Sequence, residues 1–249
     1  MAEADVIRQE LPNLVTFLAE KLEGTPAAHF LHIWENVIFS LIIVCIISLV
    51  AYLASRKSTL IPNRLQAFVE IIVGGLDDFV CGILGPKGSK YTPFIGTLFI
   101  YILVMNLFGI VPFMKSSTSS LSTTAALAIC VFFYLQYTGI KEMGPLGYLD
   151  HLMGNPRGII AFSVFIPIIL FVIHIITELV RPLSLTLRLG SNILAEDKLL
   201  AVSAGFGIGG VPLLLFSMLL MILSGLIQAV VFSLLSTVYF ALALTHEEK

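Results

Sequence analysis

Arg188 lies within an almost unbroken apolar stretch, in the run Glu178-Leu-Val-Arg181-Pro182-Leu-Ser-Leu-Thr-Leu-Arg188-Leu-Gly-Ser-Asn192-Ile-Leu-Ala-Glu196-Asp197. A guanidinium stays protonated at any working pH. Placing one at a bilayer centre costs about 2.5–3.5 kcal/mol on insertion scales. A membrane chain that keeps such a residue, with carboxylates at helical spacing around it, has the residue types for handling ions. At 100° per residue, counting from His174, the side chains of Glu178, Arg181, Arg188, Asn192 and Glu196 fall within roughly 80° of one another. Asp197 and Lys198 lie off that face. Pro182 sits inside the run, where a proline kinks a helix, so the alignment is approximate. Local pairing, Glu178 with Arg181 and Arg188 with Glu196 or a neighbouring helix, accounts for single charges. A polar stripe continuing across most of the membrane suits a hydrated path better. His174 joins it as a candidate for proton handling, because histidine is the side chain that changes charge nearest neutral pH.

A second polar group stands out further along, in Leu226-Ile-Gln228-Ala-Val-Val. A buried amide needs a partner, and an arginine on an antiparallel neighbour would supply one. Ser217, Ser224, Ser233, Ser236 and Thr237 share this segment and read as hydroxyls bonded to their own helix backbone. Other chemistries are excluded. Gly85 to Lys90 has the wrong spacing for a phosphate loop and no strand before it. Cys45, Cys81 and Cys130 match no metal or redox spacing and read as small hydrophobes. His29 and His32 fall at a membrane boundary and read as interfacial. The chain is therefore expected to hold no metal or cofactor and to hydrolyse no nucleotide by itself.

The elements that carry these residues follow from composition. The 249 residues are 57% hydrophobic and 12% charged, with a mean hydropathy of +0.99, whereas a soluble domain carries about 25% charged residues. The fold class is all-α, a polytopic membrane protein with about five membrane-embedded helices and an interfacial helix. With a net charge of −2 and no basic run beyond Arg56-Lys57, nucleic acid is not a partner. No basic segment followed by an apolar core opens the chain, so no cleaved signal peptide is expected. Residues 10–22 instead place Leu11, Leu14, Val15, Leu18 and Leu22 on one face of a short amphipathic helix. The chain reads as one membrane domain over 1–249: an N-terminal segment 1–33, three spans and the interfacial helix in 34–157, and a helical hairpin in 158–249. Within the middle part, spans are expected at about 34–54, 93–113 and 121–140. Residues 64–83, with Glu70, Asp77 and Asp78, form the interfacial helix, and 141–157 a polar loop.

The hairpin is unusual in length. Residues 158–202 would measure roughly 68 Å as a straight helix and 211–245 roughly 52 Å, both beyond a perpendicular crossing. Cutting the first at Pro182 would leave a short second piece bearing Arg188, Glu196, Asp197 and Lys198, a poor span. Two long, steeply inclined helices joined by the glycine-rich turn Gly205 to Gly210 are predicted instead. Lysine and arginine counting then sets orientation. Arg56, Lys57, Arg64, Lys87, Lys90, Lys141, Arg157 and Lys249 share one side, and only Arg8, Lys21 and Lys115 the other, which puts the N-terminus outside and the C-terminus inside.

The run from Pro182 to Asp197 resembles the most characteristic segment of subunit a of F-type ATP synthases. Met105-Asn106-Leu-Phe-Gly-Ile-Val-Pro112 is similar to that family's second signature, and Ser224-Gly-Leu-Ile-Gln228-Ala-Val-Val-Phe to its third. The three occur in family order and cover the chain from about residue 93 to its end. The resemblance implies an ion-translocating stator that faces a ring of c subunits, beside b-type peripheral stalk subunits, membrane lipid and the rest of the complex. In that family, ring carboxylates exchange ions through two offset half-channels. The essential arginine maps onto Arg188, which attracts each deprotonated ring carboxylate and blocks leakage between the half-channels. The family's asparagine and glutamine map onto Asn192 and Gln228. Glu196 and Asp197 fall where relatives line the outer half-channel, and Glu178 and His174 where they line the inner one. Asn106, Arg181 and Pro182 are supporting positions. The family implies a bacterial plasma (inner) membrane, or alternatively a thylakoid or mitochondrial inner membrane. Moving one charge through 100 mV yields about 2.3 kcal/mol, so several ions must be summed by rotation.

Departures from the pattern are specific. The usual Arg-Leu-Phe-Gly-Asn is here Arg188-Leu-Gly190-Ser191-Asn192, which replaces a bulky aromatic and is expected to loosen packing against the ring. Ser119 and Ser120 stand where many relatives carry an acid, so the outer entrance is expected to rely on hydroxyls and water. Met221 stands where several have a buried Glu or His. The coupled ion, proton or sodium, is selected by a carboxylate on another chain. The competing reading is a self-contained secondary transporter that binds an anionic substrate at Arg188. Transporters often repeat broken helices at matching positions in two halves, and no such repeat is found here.

Overall fold

The computed structural model of the chain describes residues 26–56, 62–111, 114, 118, 120–152 and 162–244. The amphipathic stretch at 10–22, Ser119 and the C-terminal residues 245–249 lie outside them. Among the described residues there are six helices and no strand: α1 (Pro26–Ser55), α2 (Arg64–Leu84), α3 (Thr92–Phe108), α4 (Leu121–Leu152), α5 (Phe162–Gly205) and α6 (Val211–Leu244). Four contain stretches long and apolar enough to cross a membrane, namely 34–55, 121–142, 169–203 and 211–242. The apolar α3 is shorter, at 17 residues. The chain is a multi-pass, all-α membrane protein.

Local sequence explains the boundaries. Asn63 caps α2, its side-chain oxygen accepting from the Arg64 N–H at 2.8 Å. Gly85 closes that helix with φ 72°, a conformation glycine adopts without penalty. Along α2, Gln66, Leu76 and Val80 are buried while Phe68 and Ile71 are exposed, the two-faced pattern of an interfacial helix. A 3-10 turn over Pro86–Lys90 leads into α3. That helix ends at Phe108 rather than near 113, before Gly109 and the turn bonds Ile110 N–H to Leu107 O and Val111 N–H to Phe108 O. Pro112, which has no N–H to offer a helix, follows directly.

Residues 141–152, expected as loop, are helical. α4 breaks at Gly144 (φ 74°, ψ 162°), and a short second helical piece follows to Leu152. Pro145 opens that piece, where the missing N–H costs nothing. The expected hairpin is present. α5 is continuous for 44 residues through Pro182, and α6 for 34, so they measure about 66 Å and about 51 Å. Neither fits upright across about 30 Å of hydrocarbon. Their connection is tight: a Cβ added to Gly210 would lie 2.4 Å from the Ser203 carbonyl oxygen.

The core sits where four helices meet. Leu98 and Ile102 of α3, Ala128 and Val131 of α4, Leu185, Leu189 and Ile193 of α5, and Ala229 and Phe232 of α6 form one buried cluster. A second joins Val80, Tyr91, Ile95, Leu135 and Phe240 at the end where α3 begins and α6 finishes. There Phe94 stacks on Tyr134 at 4.2 Å, and Tyr91 lies 5.3 Å from Phe240. Lipid attracts apolar helices no less than they attract one another, so close packing and interhelical hydrogen bonds hold such a bundle together. α5 runs antiparallel to both α4 and α6, as the contacts below at its two ends require.

Candidate functional site

The polar residues of α5 occupy three levels. At the first, Glu178 and Arg181 pair one turn apart, Arg181 Nη1 donating to Glu178 Oε1 at 2.7 Å. Their side chains are only 17% and 18% exposed, so the pair is mostly out of contact with the surroundings. α4 supplies Gln136, whose Nε2 donates to Glu178 Oε2 at 2.7 Å. Tyr148, beyond the α4 break, donates its hydroxyl to Gln136 Oε1. α6 supplies Tyr239, whose ring lies under the Arg181 guanidinium at 4.9 Å. His174 is half-buried one turn earlier on the same helix. The pairing of Glu178 with Arg181 is thus one part of a network over three helices.

At the middle level Arg188 is exposed on the outer flank of α5, in a shallow depression with Val180, Leu183, Ser184 and Leu187. Among the described residues it has neither a hydrogen bond nor an ion pair. The alternative local pairing, with Glu196 or a neighbouring helix, is absent among the described residues. Gln228 is 4% exposed, and its Oε1 accepts from Asn192 Nδ2 at 3.4 Å. The partner that the buried amide requires is therefore Asn192 and not an arginine, while Gln228 Nε2 has no partner among the described residues. Gly190 is buried against α4 on the inner side of α5. A Cβ there would meet Leu121 Cδ2 at 2.9 Å and Thr124 Oγ1 at 3.2 Å. The missing aromatic at this position therefore tightens the α4–α5 contact, contrary to the expectation that it loosens an outward face. Ser191 is exposed.

At the third level Glu196 is half-buried, with the Ser224 hydroxyl of α6 within hydrogen-bonding reach. Asp197 is half-buried and Lys198 exposed. Nearby, Asn106 of α3 is 2% exposed. Its Nδ2 donates to the Gly225 carbonyl at 3.3 Å, and its Oδ1 accepts from the Thr118 hydroxyl at 2.9 Å. Ser203 and Ser217 bond each other across the hairpin at 3.2 Å. Ser217, Ser236 and Thr237 donate to their own helix as expected, and so does Ser203 on α5, whereas the buried Ser233 hydroxyl, expected to do the same, has no partner among the described residues. Pro182 remains helical, and its carbonyl, one turn before Thr186, accepts the Thr186 hydroxyl at 2.8 Å. Met221 is buried at 2%, so no ionisable group stands at that place on α6. Among the described residues no group of His, Cys, Asp and Glu is arranged to hold a metal ion.

Sequence reasoning missed Gln136, Tyr148 and Tyr239. The signal for Gln136 was present, an amide inside Phe132-Phe133-Tyr134-Leu135-Gln136, the same anomaly that singled out Gln228. Tyr148 gave no such signal, because its place depends on the turn at Gly144.

Known proteins resemble this chain along nearly its whole length. Residues 37–241 match the family described as ATP synthase A chain. ATP synthase subunit a of Protochlamydia amoebophila (strain UWE25) is 45% identical over 248 residues, covering 96% of this chain and 90% of that relative. ATP synthase subunit a of Solidesulfovibrio magneticus is 39% identical over 215 residues, 85% of each chain. That of Desulfosudis oleivorans is 35% identical over 233 residues, 92% of this chain and 96% of the relative. With its all-helical, multi-pass fold, the chain belongs to the ATP synthase A chain family.

Proposed function

We propose that this membrane subunit of the F-type ATP synthase is the ion-translocating stator, and that Arg188 is its essential charge. The observation that carries the reading is the placement of Arg188. It is an exposed guanidinium on α5, unpaired among the described residues, between a carboxylate level at Glu178 and another at Glu196. A permanent cation in an apolar setting calls for a counter-charge, and a carboxylate arriving on a neighbouring subunit meets that need transiently. Such a pair must stay balanced against reprotonation rather than lock. The level of Glu178 and His174 opens toward the side that lysine and arginine counting makes cytoplasmic. The level of Glu196 and Asp197 opens toward the other side. Arg188, Asn192 and Gln228 lie between and keep the two half-channels apart. The chain acts as one membrane domain, in a bacterial inner membrane with its C-terminus cytoplasmic, against a c-subunit ring and b-type stalk subunits. Nucleotide chemistry belongs to other subunits.

The test is Arg188→Ala in membranes that retain the assembled complex. Loss of ATP-driven ion pumping with ATP hydrolysis retained by the head supports the assignment. Normal coupled pumping overturns it.

A further inference from the structure

Glu178 is held at both carboxylate oxygens, and the second holder comes from an unexpected place. Arg181 takes Oε1 from the same helix, and Gln136 takes Oε2 from α4, each at 2.7 Å. Gln136 can turn its amide either way. What fixes it is Tyr148, which donates to its carbonyl and so leaves the NH2 group facing Glu178. Tyr148 lies twelve residues further along, yet it reaches back because α4 breaks at Gly144 with φ 74°. Gly139 makes the landing place: a Cβ there would sit 2.8 Å from Tyr148 Cε2 and 3.1 Å from Cδ2. The break, the notch at Gly139 and the two polar side chains are together one construction.

We infer that Gln136 and Tyr148 are positioning residues for the Glu178 carboxylate, delivered by the helical piece that folds back after Gly144. This rests on the reading that Glu178 belongs to the cytoplasmic half-channel. Gln136 fixes the second oxygen of the carboxylate, and Tyr148 sets the sense of Gln136. Burial pushes the Tyr148 phenol up to about 12, so near neutral pH it is a constant O–H donor and not a relay. The groups that face Glu178 are Arg181 and, one turn earlier, His174 on its own helix, Gln136 and Tyr148 from α4, and Tyr239 from α6 through the ring under Arg181. The Tyr148 phenol and the Gln136 amide can each be removed without altering net charge.

The experiment uses inverted membrane vesicles that carry the assembled complex. ATP-driven charge uptake is followed with a potential-sensitive dye while the pH of the bath, the cytoplasmic face, is stepped. Uncoupled ATP hydrolysis at each pH is the normaliser. Gln136→Leu is expected to move the midpoint of the rate toward alkaline pH, because the amide donor on one carboxylate oxygen is lost. Tyr148→Phe moves it less, in the same direction. Gly139→Ala, which removes no polar group, reproduces the Tyr148→Phe profile. An unchanged midpoint in Gln136→Leu and Tyr148→Phe, or a fall of equal proportion at every pH, overturns the inference. Glu178→Gln separates the two levels of argument. If Glu178→Gln itself pumps with the parental profile, the placement of Glu178 in the ion path fails and the inference with it. If Glu178→Gln is impaired while the α4 variants behave as the parent, the inference alone fails.

Discussion

Gly190 offers a direct measure of how closely α4 and α5 approach beside Arg188. Replacing it with alanine adds one methyl at a site where Leu121 Cδ2 stands 2.9 Å and Thr124 Oγ1 3.2 Å away. Ordinary carbon contacts lie near 3.5–4.0 Å, so both neighbours must give by several tenths of an ångström. Leu121 is 53% exposed and can swing outward. Alanine also recovers about 1 kcal/mol of helix propensity, so Gly190→Ala is expected to be close to neutral. Gly190→Phe is a different case. Thr124 is fully buried, with its hydroxyl held by the Leu121 and Ser120 carbonyls. Ala128, Leu189 and Ile193 close the core one turn away. Overpacking of this kind costs about 1–3 kcal/mol. In lipid, packing lost by separating helices is not offset by a hydrophobic drive to re-form it. For a protein of this size the cost corresponds to a fall of roughly 2–12 °C. The assay is the temperature at which this subunit leaves the purified, detergent-solubilised complex, followed on native gels after heating. If Gly190→Phe dissociates within a degree of the parent, position 190 faces outward and the close α4–α5 approach is wrong.

Two further perturbations probe the polar anchoring. Asn106→Leu keeps the volume of the side chain but removes both bonds that join α3 to Thr118 and to the Gly225 carbonyl. Losing two buried side-chain bonds costs about 1–3 kcal/mol, and the same dissociation assay should fall by several degrees; no change would show that the junction is not buried. Outside the membrane spans, the Thr92 hydroxyl donates to Asp77 at 2.6 Å and, with Ser89 and Cys81, holds that carboxyl below its usual 3.8. A lowered folded value means the contribution is complete above the unfolded value and is lost as pH falls through the folded one. Thr92→Val should therefore lower the dissociation temperature near neutral pH, with the difference from the parent narrowing below about pH 4. A gap that stays constant over that range would exclude the linkage.

Much of the architecture was legible because length and hydropathy are cumulative signals. The hairpin followed from two runs too long to stand upright, and α5 indeed passes through Pro182 without ending. The interfacial helix followed from Glu70, Asp77 and Asp78 spaced along an otherwise apolar segment. What was not legible depended on contacts between distant residues. The polar residues of 141–152 suggested a loop, yet a helix exposed at one end tolerates them, and only Gly144 needs an unusual backbone conformation. The partner of Gln228 was expected from charge and found from register: Asn192 lies opposite it, while Arg188 faces outward. The helical projection placed Arg188 and Glu178 on one stripe. It could not show that Glu178 bonds Gln136 of α4 while Arg188 is exposed and, among the described residues, has neither a hydrogen bond nor an ion pair.

The apolar length of α5 has a geometric consequence for transport. Its membrane-compatible stretch, Ile169–Ser203, has 35 residues, and about 52 Å of helix held wholly within about 30 Å of hydrocarbon would incline roughly 55° from the normal. From Glu178 to Glu196 is about 27 Å along the axis. On that slope the step divides into about 16 Å of depth and about 22 Å of sideways displacement. The two carboxylate levels are therefore farther apart around the circumference than through the thickness. On the proposed function, an ion entering beside one and leaving beside the other would be carried laterally before finishing its descent. An upright helix with the same residues would stack the two openings and permit a short circuit. On the proposed function, the oblique one would act as the thread of a screw, with vertical flux obtained as tangential travel.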